Sequence, residues 1–244
     1  MNRRKFIANT ALKALGTALP LSLNAARRRP PINDTFVINA GIAGHNTRQL
    51  LKRLEKDCLS HQPELTILLA GTNDSLNSGN AVPPDEYAAN MLELVTRIQD
   101  CGSQVLMMTL LPFHTPYLLG RHPAAFFGTE GPEKKRTATN AIIQHTASAR
   151  QTALLDVGRL FRQIGNIGTD RTSLIRNEAN SQAKDGVHPT ADGYRVMALA
   201  LYDHIRYHLL PTGRIVCFGD SITQGIGVTA EENYPAYLRR LLLD

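Results

Sequence analysis

The chain has 244 residues, 43% of them hydrophobic and 20% charged, which suits one globular domain and excludes a mini-protein, a low-complexity chain or a disordered one. Its net charge of +6 sits at one end: seven basic residues and no acidic one fall in residues 1–29, leaving 20 basic against 21 acidic in residues 30–244. A balanced body offers no basic face to track phosphates, so no nucleic-acid partner is expected.

The first 26 residues, MNRRKFIANTALKALGTALPLSLNAA, read as an export signal. They combine a basic start, a moderately apolar stretch from Phe6 to Leu23 and small residues at Ala25 and Ala26. Arg3 and Arg4, followed by Lys5, Phe6 and Ile7, resemble the twin-arginine type. Asn9 and Lys13 interrupt the apolar run, which falls short of the roughly 20 residues a spanning helix needs, so no stable membrane insertion is expected. An amphipathic first helix is the competing reading. The expectation is an exported protein, periplasmic or extracellular, with its folded domain in residues 27–244.

Beyond that segment, short apolar runs alternate with helical patterns. Thr35 to Asn39, Thr66 to Ala70, Val105 to Leu110, Ala153 to Val157 and Arg214 to Phe218 read as buried strands. Helices are predicted over 46–61, with Leu50, Leu54 and Cys58 on one face, and over 85–100, with Tyr87, Met91, Leu94, Val95 and Ile98. A third spans about 133–150. A fourth covers about 190–210 with Tyr194, Met197, Ala198, Leu201 and Ile205, and a last one carries Tyr234, Tyr237, Leu238 and Leu241. This alternation predicts a three-layer α/β/α domain around a five-stranded parallel sheet, whose ligands bind beyond the carboxyl ends of the strands.

Those ends are polar. Gly41-Ile42-Ala43-Gly44 follows the first strand, Gly71-Thr72-Asn73-Asp74 the second and Gly219-Asp220-Ser221 the fifth, while Asp185-Gly186-Val187-His188-Pro189 immediately precedes a helix. Singly, each reads as a turn. Together they hold the parts of a nucleophilic site. A serine on a tight strand-to-helix turn is exposed at the sheet's rim, where a helix N-terminus favours negative charge. A serine hydroxyl is a poor nucleophile until a neutral histidine takes its proton, and that histidine needs an acid to orient it. Asp185 and His188 can fill both roles for Ser221. The backbone N–H groups of Ser221 and Gly44 and the side-chain amide of Asn73 are the candidate donors to an oxyanion.

These four segments resemble the four sequence blocks of the SGNH, or GDSL-type, esterase and lipase family. Gly-Asp-Ser holds Ser221, NAGIAG holds Gly44, GTND holds Asn73, and DGVHP holds Asp185 with His188. The resemblance implies the family's flavodoxin-like fold, a catalytic Ser221–His188–Asp185 set, an oxyanion hole of Ser221, Gly44 and Asn73, and no metal or organic cofactor. In the family the serine block comes first; here it comes last. The chain therefore reads as a circular permutant, joined through Pro211-Thr212-Gly213. Ile222 stands where the motif usually has leucine.

The family implies a small-molecule or carbohydrate ester as partner. Removal of acetyl groups from carbohydrate is the first expectation, a lysophospholipase or longer-chain acyl esterase the second, and a non-catalytic carbohydrate-binding protein on the same scaffold the third. The segment from Pro112 to Pro132, with Phe113, Tyr117, Phe126 and Phe127, is expected to overhang the site. His45, His114 and His122 lack acid or cysteine partners at metal-ligand spacing and read as surface or pocket-lining residues. Gly225-Ile226-Gly227 lacks the third glycine of a dinucleotide loop. Lys134, Lys135 and Arg136 read as a solvated helix start, and Asp74 as a support for its loop. Cys58, Cys101 and Cys217 are far apart; one bridge among them is compatible with an oxidising compartment, and buried apolar thiols are favoured.

Overall fold

The computed structural model describes residues 36–243. The export reading of residues 1–26 and the strand position given to Thr35 lie outside them.

Among the described residues, five parallel strands form one sheet: β1 (Phe36–Gly41), β2 (Leu65–Leu69), β3 (Gln104–Met108), β4 (Ala153–Leu155) and β5 (Arg214–Gly219). The helices are α1 (Thr47–Asp57), α2 (Thr72–Leu76), α3 (Pro84–Asp100), α4 (Thr115–Arg121), α5 (Ala124–Phe127), α6 (Gly131–Ala149), α7 (Val157–Ile164), α8 (Glu178–Ser181), α9 (Ala191–Tyr207), α10 (Ser221–Gln224) and α11 (Tyr234–Leu243). Helices α1, α3 and α6 pack together as one layer, and α9 and α11 pack together as the other. Both faces of the sheet are thereby covered, so β2 is buried along its whole length and reads as an unbroken apolar run.

The strand order is β1-β5-β2-β3-β4. Counted from β5, it is the 2-1-3-4-5 order of a flavodoxin-like doubly wound sheet. The last strand in sequence is thus inserted beside the first. Gly219 of β5 pairs with Gly41 of β1 on one side and with Leu69 of β2 on the other, so the loops leaving all three strands start at one level. The approach is close. A Cβ on Gly41 would run into the backbone of Thr223 and Gln224, so only glycine lets α10 settle on the end of β1.

Three predicted apolar stripes carry a tyrosine that does more than fill the core. Tyr87, Tyr194 and Tyr234 are fully buried. Tyr87 donates to the Ala70 carbonyl at 3.0 Å, Tyr194 to the Ile226 carbonyl at 3.2 Å, and the Tyr234 hydroxyl meets Thr223 Oγ1 at 3.0 Å. Each satisfies a buried hydroxyl by holding a segment beside a strand end.

Several expectations are corrected. Strands β3 and β4 stop short of Leu110 and Val157 because Asp156 leaves the strand to cap α7, accepting from Arg159 N at 3.0 Å and from Thr109 Oγ1 at 2.7 Å. Arg136 is buried rather than solvated, paired with Glu133 and within 3.4 Å of the Leu110 carbonyl. Cys58 and Cys217 are buried, Cys101 is exposed, and all three are free thiols. The 112–132 segment, by contrast, does reach the strand ends as expected: it folds into α4 and α5, Leu118, Arg121 and His122 line a cavity with Gly44, Asn73, His188 and Ser221, and Phe113 and Phe127 join Leu76, Leu118 and Val187 in a second small apolar cluster.

Candidate active site

Ser221 is the first residue of α10, and the carboxylate of Asp220 caps that helix by accepting from Ile222 N at 2.9 Å. The Ser221 Oγ lies 2.9 Å from His188 Nε2. On its other side the imidazole places Nδ1 at 2.9 Å from both oxygens of Asp185. A carboxylate only accepts, so Nδ1 carries the proton and Nε2 is left free to take one from the serine. Asp185 Oδ1 also accepts from the backbone N–H groups of Val187 at 3.0 Å and His188 at 2.9 Å, which folds the DGVH turn around its own carboxylate. Burial acts to raise the Asp185 pKa, but the bonds and charge of His188 outweigh it and hold the carboxyl at about 2.

Gly44 and Asn73 line the same cavity as Ser221 and His188. Gly44 has φ of +78°, the left-handed region, and among the described residues its N–H has no acceptor. Asn73 spends one amide hydrogen on the His45 carbonyl at 3.0 Å and accepts from Asn77 Nδ2 at 3.1 Å. That fixes the amide's orientation and, among the described residues, leaves its second hydrogen unspent. The structure therefore brings together all five residues singled out in the sequence. Asp74 stands apart from them: its Oδ1 accepts from the backbone N–H of Thr47 at 2.9 Å and from the Thr47 hydroxyl, tying α2 to the start of α1.

Residues 14–196 match the sequence profile of the GDSL-like lipase/acylhydrolase family. The chain belongs to that family. The match ends before Ser221 and so covers the glycine, asparagine and histidine blocks but not the serine block. An arylesterase of Vibrio mimicus is 34% identical over 77 residues, a stretch that covers 32% of this chain and 37% of that protein. An acetylxylan esterase of Geobacillus stearothermophilus is 23% identical over 180 residues, 70% of this chain and 72% of the relative. Among solved structures, the acetyl xylan esterase AlAXEase superposes with a TM-score of 0.55 at 20% identity, covering 68% of this chain and 79% of that one. A GDSL-like lipase from Bacteroides thetaiotaomicron gives 0.52 at 24%, covering 69% and 74%. The family match and the two esterase relatives place the GDSL-family chain among carboxylic ester hydrolases, and the solved structures give it their fold.

Two arginines of this GDSL-family site escaped the sequence reading. Arg53, buried within the apolar stripe of α1, donates to the Ala40 carbonyl at 2.9 Å and the Gly219 carbonyl at 2.7 Å, and its guanidinium stacks 4.4 Å from the Phe218 ring centroid. It clasps the ends of β1 and β5. An arginine beside Leu50 and Leu54 was the available signal. Arg176 donates to Asp185 Oδ2 at 3.3 Å, and its backbone N–H bonds the His188 carbonyl at 2.9 Å. It sits in an irregular loop with no periodicity to mark it. Of the histidines, His45 Nδ1 accepts from Arg53 Nε at 3.1 Å, His114 packs edge-on against Tyr117, and His122 lines the cavity. Among the described residues, no group of three or more His, Cys, Asp or Glu is placed to hold a metal ion, and no helix is long and apolar enough to cross a membrane.

Asp220 makes the site sensitive to pH through stability. It is fully buried and, among the described residues, its Oδ2 has no partner; burial foremost, with Asp74 adding to it, pushes its carboxyl up to about 6 from an ordinary 3.8. An acid whose folded pKa is raised stabilises the fold below its unfolded value, and that contribution is lost as pH rises through the folded one. Unfolding by urea is therefore expected to show an Asp220 contribution that falls by about 2 kcal/mol between pH 4 and 7. Asp220→Asn keeps the cap and should flatten that slope. An unchanged slope in the variant would refute this. Asp185 acts with the opposite sign: its contribution is present above pH 3.8 and is lost as pH falls toward 2.

Proposed function

We propose that the protein is an exported serine esterase that removes short acyl groups, acetyl foremost, from oxygen esters of carbohydrate. The observation that carries this reading is the unbroken Asp185–His188–Ser221 chain of contacts opening on a cavity of about 260 Å³. His188 Nε2 takes the Ser221 proton as Oγ attacks the ester carbonyl, and the negative charge on the carbonyl oxygen is met by the N–H groups of Ser221 and Gly44 and by Asn73 Nδ2. The proton then passes from His188 to the departing alcohol, leaving an acyl-serine. Water, deprotonated by the same nitrogen, hydrolyses it.

The cavity is at the small end of ligand sites and is walled by Leu76, Leu118, Val187 and Ile226, which suits a short acyl group. Hydrolysis of p-nitrophenyl esters of increasing chain length tests this. Acetate is expected to be cleaved at least about tenfold faster than octanoate by kcat/KM, a difference within reach of pocket discrimination; the reverse order would make this a longer-chain acyl hydrolase. Replacing Asn73 by alanine removes one of three oxyanion donors and should lower kcat on the acetate about 10²- to 10³-fold with little change in KM. A loss under tenfold would remove Asn73 from that role.

Two further parts of the reading are also proposals. The strand order supports a circularly permuted family chain, and the N-terminal composition supports export by the twin-arginine type of signal. Fractionation of cells making the full chain, beside a form with Arg3 and Arg4 replaced by lysine, tests the second; unchanged export would refute it.

A further inference from the structure

The cavity beside Ser221 is lined by Leu76, Leu118, Val187 and Ile226 and also by Arg121 and His122, the last residue of α4 and the one after it. Among the described residues, no acidic one lines the cavity. Arg121 is exposed and, among the described residues, has no carboxylate partner. A cation at a helix C-terminus is ordinary, because it complements the last carbonyls. That role does not require it to line the cavity that holds the nucleophile.

The neighbouring ring is set up as a donor. His122 Nδ1 lies 3.3 Å from the backbone N of Ser78 and 3.0 Å from its hydroxyl. A backbone N–H only donates, so Nδ1 accepts and the proton of the neutral ring sits on Nε2. Burial and the charge of Arg121 lower the His122 pKa and favour that neutral, Nε2–H form. A guanidinium fork with a fixed N–H donor beside it matches a planar carboxylate, which takes two parallel bonds from the fork and has lone pairs left for a third. The acetyl end of the proposed substrate has no ionisable group, so the carboxylate belongs to the alcohol.

We propose that Arg121, with His122 as second donor, selects esters whose alcohol part carries a carboxylate, such as an acetylated sugar acid. This rests on the short-chain esterase reading above and narrows it.

The test pairs 4-acetoxybenzoate with the neutral, near-isosteric 4-acetoxybenzamide, using the full chain. The ratio of their kcat/KM values is the readout. It is expected to fall about tenfold in Arg121→Gln relative to the unsubstituted protein, and to shrink in about 0.5 M salt, as an exposed ion pair does. Arg121→Lys keeps the charge without the fork and should recover part of the ratio. A ratio that Arg121→Gln leaves unchanged overturns the proposal. Calorimetric titration of the Ser221→Ala variant keeps the two readings separable: 4-acetoxybenzoate should bind about tenfold tighter than the amide. Equal binding, or none, overturns the carboxylate preference even if both esters are hydrolysed. Absence of hydrolysis with the tighter binding intact would sink the esterase reading alone.

Discussion

Ser221→Ala is expected to lower kcat on p-nitrophenyl acetate by about 10⁴-fold or more while leaving the protein folded. The loss is large because the hydroxyl is the bond-forming atom, and removing the nucleophile of a serine hydrolase leaves only what binding and the oxyanion donors provide. The fold should tolerate it. Among the described residues, Ser221 Oγ has one side-chain partner, His188 Nε2, and the cap on α10 is made by Asp220 rather than by the serine. A melting temperature within a few degrees of the parent is the control. Retention of more than a tenth of the activity would mean that another group attacks the ester, and would undo the assignment of His188 as its base.

The second large effect concerns the end of the chain. Deleting residues 213–244 should abolish folding, because it removes the strand between β1 and β2 together with the helix that packs on α9 and β1. Ile215, Val216, Phe218, Tyr234 and Leu238 are fully buried. At about 1.5–3 kcal/mol for each large side chain, their loss is of order 10 kcal/mol, comparable with the whole stability of a typical domain. Among the described residues, β1 would keep no strand neighbour. Far-ultraviolet circular dichroism during heating checks this: a soluble fragment with a cooperative transition would contradict it.

Much of the site was legible because its residues stand at points where an apolar run stops. Gly41, Gly71 and Gly219 each end such a run, and parallel pairing with matched register then brings the loops beyond them to one level. The DGVHP segment was legible for another reason: Asp185 and His188 are close enough in sequence to close their own turn. The helices α2, α4, α5, α7, α8 and α10 were not, since each is too short for a 3.6-residue period to rise above noise. Arg136 carries no mark in the sequence, and Arg53 is marked only by its place beside Leu50 and Leu54. Each is buried through carbonyl acceptors far away in sequence, Gly219 for one and Leu110 for the other, and such partners are named only by the fold.

The position of β5 also sets a clock. About 170 residues separate the end of β1 from the start of β5. At roughly 5–20 residues per second, a ribosome takes about 10–35 s to cross that interval. Once Leu65–Leu69 have been made, β1 and β2 each present a bare edge to any other strand nearby for the rest of it, the arrangement that invites pairing between chains. The slot closes only when Ile215 to Gly219 arrive, and those residues lead straight into Ser221. Closing the vulnerable edge and seating the serine are therefore one event in the life of the nascent chain.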